Sequence, residues 1–490
     1  MSHTAAARIL GLVIATAIAG CGGSGDSSLG TNNPPPPPAA VAKTTVGQIS
    51  GFGSIYVNGV EYETSGSSYE VDDTSASGDD ALAVGMVVNV QGSVNPDGRT
   101  GTANSVSYDD DIEGVVANLA TDPNDMSIKT FEVMGVAVQA DKNNTNFDNE
   151  DDPDFNFDTI ADGDNVEVSG EYSGDVLIAS YIEKQDASDD DYEAKGTVDQ
   201  YDGADQFVLI LRNESTLSVT VAAGAEIPSA GIMDGQYVEV EGSIPDPTNA
   251  PDSLLANKVE IEDEDRIDSD DEDEVEIKGI LGYDVDTETW SVKDVRLAFG
   301  DNTQYSPETL ADSIDDLSAD GLYVEVEGEY LDGVLQVREM ELEEDELEFK
   351  ADVDSVTVTD SREGSLTLTF GNATGSVDVN VTPDTMFLDD DAVDHYDLNS
   401  IMIGDKVEIE ARMGDDGLVY ASSLHLEDDM GYEIKGPVDA IDEVSITVLG
   451  IVFTLDAETF YETVAPVAGD YAEVEDDDAD GIADWVEIED

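Results

Sequence analysis

The last predicted hairpin of the chain carries the side chains whose types and spacing best fit a chemical task. Acidic residues occupy alternate positions before Gly481, and two more follow it. This order matches the D-x-D-x-D-G-x5-E pattern of calcium loops, in which carboxylate oxygens surround a hard cation and the glycine allows a sharp turn. The candidate Ca²⁺ ligands are Asp476, Asp478, Asp480, Asp484 and Glu487.

A solvated turn remains the alternative for this segment. The pattern lies between two predicted strands and lacks the flanking helices of an EF-hand. Other copies of the repeat described below carry Glu260 or Glu341 at the position of Glu487, so only the Asp triplet lacks another explanation. Calcium binding at this loop is therefore an expectation that depends on those three residues.

Residues for nucleophilic or acid–base catalysis are scarce. The 490 residues include one Cys and three His. His3 lies in the predicted leader, and His395 follows an acidic loop. His425 occupies a strand position at which other copies carry Glu, so we expect it to face solvent. Because 114 acidic residues offer no distinctive carboxylate pair, we predict no catalytic residue and no enzyme.

The formal charge of the chain restricts its partners. Nineteen Lys and Arg against 114 Asp and Glu give −95, which repels phosphate backbones and predicts no nucleic-acid partner. The acidic runs have two interpretations, a solvated surface or Ca²⁺ bridges between successive repeats, and the sequence favours the first. Both predict that stability depends on ions. The runs lie at 148–158, 189–191, 262–276 and 389–391.

The first 21 residues account for the single cysteine. The apolar run 9–19 is too short to span a bilayer. It leads into Ile18-Ala19-Gly20-Cys21, which resembles the lipobox of bacterial lipoproteins. The resemblance implies a signal peptide over residues 1–20, a lipid anchor on Cys21 and, with Gly22 next, the outer membrane. Residues 21–45 then form a Gly/Ser/Pro tether. We expect an exported protein at the periplasmic face or the cell surface.

From Val46 onward the sequence repeats itself. An element of the form G-x-x-V-x-V-x-G recurs, as at 85–92, 235–242 and 321–328. Six copies of about 74 residues each fill this part of the chain, a usual size for small repeated domains. The predicted repeats are repeat 1 (46–111), repeat 2 (112–191), repeat 3 (192–274), repeat 4 (275–346), repeat 5 (347–430) and repeat 6 (431–490).

The period within a repeat is that of β-strands. In residues 238–241 valines alternate with glutamates, which is typical of a half-buried antiparallel strand. We predict five strands per repeat and one short helix between the third and fourth, clearest after Ser306-Pro307. This order predicts an all-β chain of six tandem, small, five-stranded antiparallel OB-like barrels. A continuous β-solenoid is the alternative.

Repeat 1 carries a further resemblance. Its residues 50–60, S-G-F-G-S-I-Y-V-N-G-V, resemble the hallmark of a domain of unknown function, the 5666 family of bacterial lipoproteins. The element at 85–92 is similar to that family's second block, and the resemblance covers about residues 46–110. Later repeats keep the second block and lack G-F-G-S. The resemblance implies fold and location, and it implies no activity.

Together these features predict a non-catalytic, highly acidic, lipid-anchored envelope protein. It would act as an interaction or spacer module with an envelope protein or glycan as partner, and Ca²⁺ is the candidate cofactor. The alternative is a glycan- or peptide-binding protein that uses an OB-like face. Trp290 is the candidate aromatic platform for that face, although a core position explains this residue more readily.

Overall fold

A computed structural model describes most of the chain after the tether. It describes residues 40–489 except 73, 97, 124–125, 149–154, 186–191, 246–251, 263–266, 268–273, 286, 294, 308, 318, 320, 332, 344–346, 389–396, 415–416, 428–430, 458 and 462–464. The predicted leader, Cys21, most of the tether and His395 lie outside the described residues. Among the described residues, no helix is long and apolar enough to cross a membrane.

Repeat 1 introduces the arrangement of strands. Its strands are β1 (Val41–Gly51), β2 (Ile55–Val57), β3 (Val60–Glu63), β4 (Ser68–Val71), β5 (Thr74–Ala76), β6 (Val87–Val94) and β7 (Thr100–Tyr108), with a 3₁₀ turn at Asp79–Ala81. β1 pairs antiparallel with β2 and with β6. β2 pairs with β3, β3 and β4 run parallel to β7, and β7 pairs with β6. The pairings thus return to β1 and close a small, barrel-like sheet.

Repeats 2 and 3 follow the same order. In repeat 2 the strands are β8 (Ile112–Thr121), β9 (Ile128–Val133), β10 (Val136–Asp141), β11 (Asn146–Asp148), β12 (Asn165–Ser173) and β13 (Val176–Gln185). In repeat 3 they are β14 (Tyr192–Asp199), β15 (Gln206–Ile210), β16 (Thr216–Glu226), β17 (Tyr237–Ser243) and β18 (Ser253–Ile261). β10 and β11 run parallel to β13, and β16 runs parallel to β18, while the other pairs within each ring are antiparallel.

Repeats 4 and 5 keep this order. Repeat 4 contains β19 (Glu274–Asp284), β20 (Thr289–Val292), β21 (Val295–Ser306), α1 (Leu310–Asp316), β22 (Tyr323–Leu331) and β23 (Val334–Leu342). Repeat 5 contains β24 (Leu347–Asp360), β25 (Glu363–Thr369), β26 (Val377–Val381), β27 (Met386–Leu388), β28 (Lys406–Met413) and β29 (Val419–Glu427). In both repeats the third and last strands pair in parallel, as β21 with β23 and β26 with β29.

Repeat 6 closes less completely. Its strands are β30 (Tyr432–Ile441), β31 (Ser445–Val448), β32 (Ile451–Thr454), β33 (Phe460–Tyr461), β34 (Tyr471–Asp476) and β35 (Trp485–Glu489). β30 pairs antiparallel with β31 and β34. The parallel contact of this repeat consists of β33 with β35 and an isolated bridge between Thr454 and Ile482. The all-β class and the repeated sheets are therefore as predicted.

The final glycine of the recurrent element has a geometric reason. In repeats 1 to 5 the fourth strand bends at a β-bulge, as between Ser169 and Gly170 or between Glu241 and Gly242. A Cβ on Gly170 would lie 2.1 Å from the carbonyl oxygen of Ile178 on the paired strand. A side chain at this bulge would therefore separate the two strands, which favours glycine where another backbone approaches closely.

Strand pairing also joins repeats to one another. β8 pairs antiparallel with β14 and β24 with β30, so repeats 2 and 3 share one sheet and repeats 5 and 6 another. β1 pairs in parallel with β19, which unites repeat 1 with repeat 4 although two repeats separate them in sequence. β1 begins at Val41, which pairs with Val94 of β6, so the strand starts inside the segment assigned to the tether.

Packing between repeats also covers strand faces that the sequence analysis places in solvent. The valines of the fourth strands are buried as predicted, but Glu167, Glu239 and Glu408 are no more than 8% exposed. Glu167 accepts a hydrogen bond from Tyr108 of repeat 1, with 2.7 Å between oxygens. Alternation therefore predicts which residues share a face, while the neighbouring repeat determines whether that face meets water.

The prediction that His425 faces solvent is wrong. His425 lies on β29 and is 2% exposed. It is opposite Glu408 of β28, whose carboxylate accepts a hydrogen bond from Asn143 of repeat 2 at 2.8 Å. Repeat 2 thus covers this face of repeat 5, which is why an outward strand position is buried.

The one helix of the described part of repeat 4 is shorter than predicted. α1 begins at Leu310, with Thr309 as its N-cap, rather than directly after Pro307. Leu310 and Ile314 are buried, as the helical spacing predicts. Leu317 follows the helix in a left-handed conformation with φ of 65° and is 44% exposed.

Candidate functional site

A group of buried carboxylates surrounds one ammonium where repeats 1, 2 and 3 meet. We call this group the acidic junction. One member follows β4, two lie in the linker between β7 and β8, and the others project from β14 and β17. Its members are Asp72, Asp109, Asp110, Glu193, Lys195 and Glu239.

Strand geometry explains why these side chains converge. Glu193 and Lys195 are two residues apart on β14 and therefore share one face. Lys195 is directly opposite Glu239 of β17 in the antiparallel register. Asp109 and Asp110 connect repeat 1 to β8, which pairs with β14, so the linker passes beside Lys195.

The Lys195 ammonium contacts several carboxylates of the acidic junction at once. Lys195 Nζ lies 2.8 Å from Asp109 Oδ1, 3.1 Å from Glu193 Oε1, 3.5 Å from Asp110 Oδ1 and 3.7 Å from Glu239 Oε2. Lys258 also contacts Glu239 at 3.3 Å, but it is shared with Glu241 and Glu260 of the same sheet. Asp110 and Glu239 are only 3% exposed, so water compensates little of this excess negative charge.

The electrostatics follow from burial and from the shortage of cations. Burial and the Glu193 charge raise the pKa of Glu239 to about 9, although Lys195 opposes the shift. Burial, Glu193 and Asp109 raise the pKa of Asp72 to about 7. Burial alone would lower the pKa of Lys195, but the carboxylates outweigh burial and raise it. The junction therefore retains protons that an exposed set of acids would release.

The oxygen atoms of the acidic junction are also close enough to share a cation. One oxygen each of Asp72, Asp109 and Asp110 lie within 4.8 Å of one another, and so do oxygens of Asp109, Glu193 and Glu239. Asp109 belongs to both groups, and its side chain is 43% exposed, compared with 3% for that of Asp110. Ca²⁺ takes about 6–8 oxygen ligands at about 2.3–2.6 Å, and closely spaced carboxylates are its usual protein ligands.

The predicted calcium loop lies between β34 and β35. One carboxylate oxygen each of Asp476, Asp478 and Asp484 lie within 4.8 Å of one another. Asp480 and Glu487 fall outside this group. The structure thus brings together three of the five predicted ligands.

Backbone amides already engage part of this loop. Asp476 is fully buried, and its two carboxylate oxygens accept hydrogen bonds from the amides of Asp480 at 3.1 Å and Gly481 at 2.8 Å. Asp484 accepts one from the amide of Asp477 at 2.9 Å. These bonds stabilise the turn without a cation, so the acidic spacing has a structural role of its own.

Trp290 belongs to the core of repeat 4. Its side chain is 7% exposed, and its ring centroid lies 4.8 Å from that of Tyr283. A buried indole offers no flat surface to a ligand. Trp290 is therefore not an exposed platform on the outer face of its repeat.

Sequence reasoning did not identify the acidic junction. Its residues come from two repeats that are not adjacent in sequence, and each of its acids taken alone resembles the many other acids of the chain. The available signal was Lys195, because Lys is rare here and this one is found in the strand that opens repeat 3. The residues opposite Lys195 depend on strand register and on packing between repeats.

Comparison with known families confirms the resemblance stated for repeat 1 and extends it. The family model described as "Domain of unknown function (DUF5666)" matches residues 44–107, 113–183, 283–341, 353–425 and 435–487. These segments cover more than half of the chain and lie mainly in repeats 1, 2, 4, 5 and 6. No curated protein matches the chain.

A solved structure described as "drosophila Unr CSD456" also matches. It shares 10% identity with the chain and covers 60% of this chain and 96% of that one, with a TM-score of 0.13. A similarity this low supports no argument about fold or function.

Proposed function

The chain belongs to the DUF5666 family, and we propose that it is a non-catalytic, lipid-anchored envelope protein whose six OB-like barrels form a calcium-braced interaction module. The family description assigns no activity, so the proposal depends on this chain's own residues. The observation that carries it is the acidic junction, in which carboxylates from repeats 1 and 3 surround one ammonium.

The order of strand pairing supports the OB-like assignment. In repeats 1 to 5 the first strand pairs with the second and the fourth, and the third pairs in parallel with the last. A five-stranded, partly open Greek-key barrel of this kind is the OB-fold. Repeat 3, which lies largely between matched segments of the family model, has the same pairing order.

Charge balance supports calcium as the bracing ion. A divalent cation would neutralise buried carboxylates that otherwise hold protons or repel one another. Because Asp109 and Asp110 belong to the linker while Glu193 and Glu239 belong to repeat 3, one ion there would connect separate repeats. The loop containing Asp476 is a second, weaker candidate site for the same ion, because backbone amides of the loop already donate hydrogen bonds to the Asp476 carboxylate.

Pairing between distant repeats supports an interaction module more than an extended spacer. β1 and β19 share a sheet, so repeat 4 folds back onto repeat 1. Such a block presents several barrel faces together. A glycan- or peptide-binding OB-like face is the alternative, but Trp290, its candidate platform, is buried.

The calcium proposal is tested on a soluble chain that begins at Gly22. We expect a saturable heat of Ca²⁺ binding and a rise in melting temperature beyond that given by NaCl at equal ionic strength, because an ion that binds only the folded state stabilises it. The double substitution Asp109→Asn, Asp110→Asn should abolish most of this response. A separate pair, Asp476→Asn with Asp478→Asn, reports on the loop alone.

Matched controls separate binding from general screening. Asp354 and Glu329 are exposed strand residues outside both acidic groups, so Asp354→Asn with Glu329→Gln removes the same charge and should leave the Ca²⁺ response unchanged. If Ca²⁺ and NaCl act identically on the native chain, the bracing role is refuted. If the control pair weakens the response as much as the junction pair, the effect is one of net charge.

The anchor is tested on the full-length protein in a bacterial host. Cys21, which lies outside the described residues, should incorporate a labelled fatty acid, and the protein should fractionate with the envelope. Cys21→Ala should abolish both. Unchanged labelling in this variant would contradict lipidation at this residue.

A further inference from the structure

A second junction, where repeats 1, 2, 4 and 5 meet, encloses a cavity. Its volume is about 220 Å³. We call it the central cavity, and its lining includes Gln48 of β1, Glu171 of β12, Lys278 of β19, Tyr323 of β22, and Glu343 and Asp384 from connecting segments.

The charged groups around the central cavity neutralise one another. Lys278 forms ion pairs with Glu343, at 2.7 Å, and with Asp384. Glu343 also contacts the Arg412 guanidinium at 2.9 Å, and Glu171 pairs with Lys293. Each of the three carboxylates that line the cavity thus contacts a cation, so a charged ligand would have to break an existing pair. That makes a neutral ligand the better match.

Polar groups in the lining remain available for hydrogen bonds. The Gln48 amide and the Tyr323 hydroxyl form no hydrogen bond with any other described residue, although both line the cavity. Burial raises the pKa of Tyr323 well above its ordinary value, so its hydroxyl keeps its proton and can donate as well as accept. Asn144 also lines the cavity, and its amide nitrogen donates to Glu410 at 2.6 Å.

Apolar side chains complete the lining. Ile178, Ile280 and Met386 line the same cavity as the polar groups named above. A site that combines apolar surface with a few convergent polar groups is typical of small-molecule recognition. The volume falls below the usual range of about 300–1,000 Å³ for drug-sized ligands, so a small ligand fits best.

We propose that the central cavity binds a neutral, polyhydroxylated ligand about the size of a monosaccharide. Hydroxyl groups both donate and accept, as Gln48 and Tyr323 do, and the C–H faces of a sugar ring suit the apolar lining. A free amino acid or a uronic acid carries a carboxylate, for which the lining holds no unpaired cation. An amino sugar carries an ammonium, for which the lining holds no unpaired carboxylate.

The test uses the soluble chain from Gly22 and a panel of defined probes. Glucose, galactose and N-acetylglucosamine are the neutral probes, while glucuronate, glucosamine and glutamate are the charged ones. Saturation-transfer NMR and calorimetry should detect at least one neutral probe and none of the charged ones. Because one lost hydrogen bond costs about 0.5–1.5 kcal/mol, Tyr323→Phe and Gln48→Ala should each weaken binding about 2- to 10-fold.

Matched variants place the ligand in the cavity. Tyr201→Phe changes a half-buried side chain and Gln336→Ala an exposed one. Neither residue lines the cavity, so both variants should leave binding unchanged. Binding by none of the neutral probes overturns the proposal, as does preferred binding of a charged probe. Equal binding by Tyr323→Phe, Gln48→Ala and the native chain also overturns it. The calcium titration measures ion binding at the acidic junction and does not depend on the central cavity. Failure of the calcium proposal is therefore distinguishable from failure of the ligand proposal.

Discussion

The acidic junction and the central cavity are built from the same kinds of side chain, yet they differ in charge balance. At the acidic junction five carboxylates surround Lys195, with partial help from Lys258. Around the central cavity, each of the three carboxylates of the lining contacts a cation. Both lie between repeats and both are largely buried.

The two junctions differ in how their buried negative charge is compensated. A buried charge is tolerated when a partner of opposite sign lies beside it, and otherwise the group changes its protonation or recruits an ion. The cavity network meets this condition with its own residues. The acidic junction meets it only with bound protons or an added cation, which is why we propose calcium there and a neutral ligand in the cavity.

The largest expected effect comes from removing the central lysine of each junction. Lys195→Met and Lys278→Met each leave buried carboxylates without their main partner, so each should lower the free energy of unfolding by about 3–5 kcal/mol. Saturating Ca²⁺ should recover much of the loss in Lys195→Met, because its carboxylate groups are close enough to share an ion. It should recover little in Lys278→Met. Calorimetric melting with and without Ca²⁺ measures both.

Two outcomes of the Ca²⁺ experiment on Lys195→Met and Lys278→Met would contradict this expectation. Equal recovery of both variants by Ca²⁺ would mean that the ion acts through general screening. If Ca²⁺ restores the stability of neither variant, the acidic junction is not a cation site. Exposed Arg99, replaced by Met, serves as the control for loss of a positive charge elsewhere.

A smaller effect concerns pH, and its sign differs between the two junctions. The folded-state pKa of Asp72 is raised to about 7, so its contribution is present below the ordinary carboxyl pKa and is lost as pH rises through about 7. Burial opposes ionisation of Asp384, but Lys278 outweighs burial and lowers the pKa of Asp384. Its contribution is therefore present above the ordinary carboxyl pKa and is lost as pH falls through the lowered value.

These signs give a direct measurement. In calcium-free buffer, raising pH from about 5 to about 8 should destabilise the native chain more than Asp72→Asn, because the amide cannot release a proton. Melting temperatures of both proteins across this range check the expectation. Parallel profiles would show that Asp72 does not couple to folding. Added Ca²⁺ should flatten the native profile, since an ion then replaces the proton.

The sequence predicted what depends on local pattern. Alternation in segments such as 238–241 gave the strands and the faces of their side chains, because the period of two is set by each strand alone. The spacing of the acids from Asp476 to Asp484 likewise singled out a loop that brings three of the five predicted ligands together.

Contacts between repeats were beyond that reasoning. Lys43 pairs with Glu276, 233 residues away, and no periodicity indicates that repeat 1 joins repeat 4. His425 and Glu239 occupy outward strand positions, yet both are buried because another part of the molecule covers them. Both junctions consist of such contacts, so their residues could be assigned to strands and loops but not to one another.

The smallest expected effect belongs to the loop between β34 and β35, and it completes the comparison. The Asp476 carboxylate accepts two backbone amides, so Asp476→Asn keeps one acceptor oxygen and should cost about 1 kcal/mol of stability without Ca²⁺. Asp478→Asn should cost less, because that side chain is exposed. Calorimetric melting of both against Asp354→Asn measures this. We infer that backbone hydrogen bonds stabilise the carboxylates of this loop, whereas carboxylates that come from separate repeats need a cation. A loss of stability as large as that in Lys195→Met would contradict this distinction.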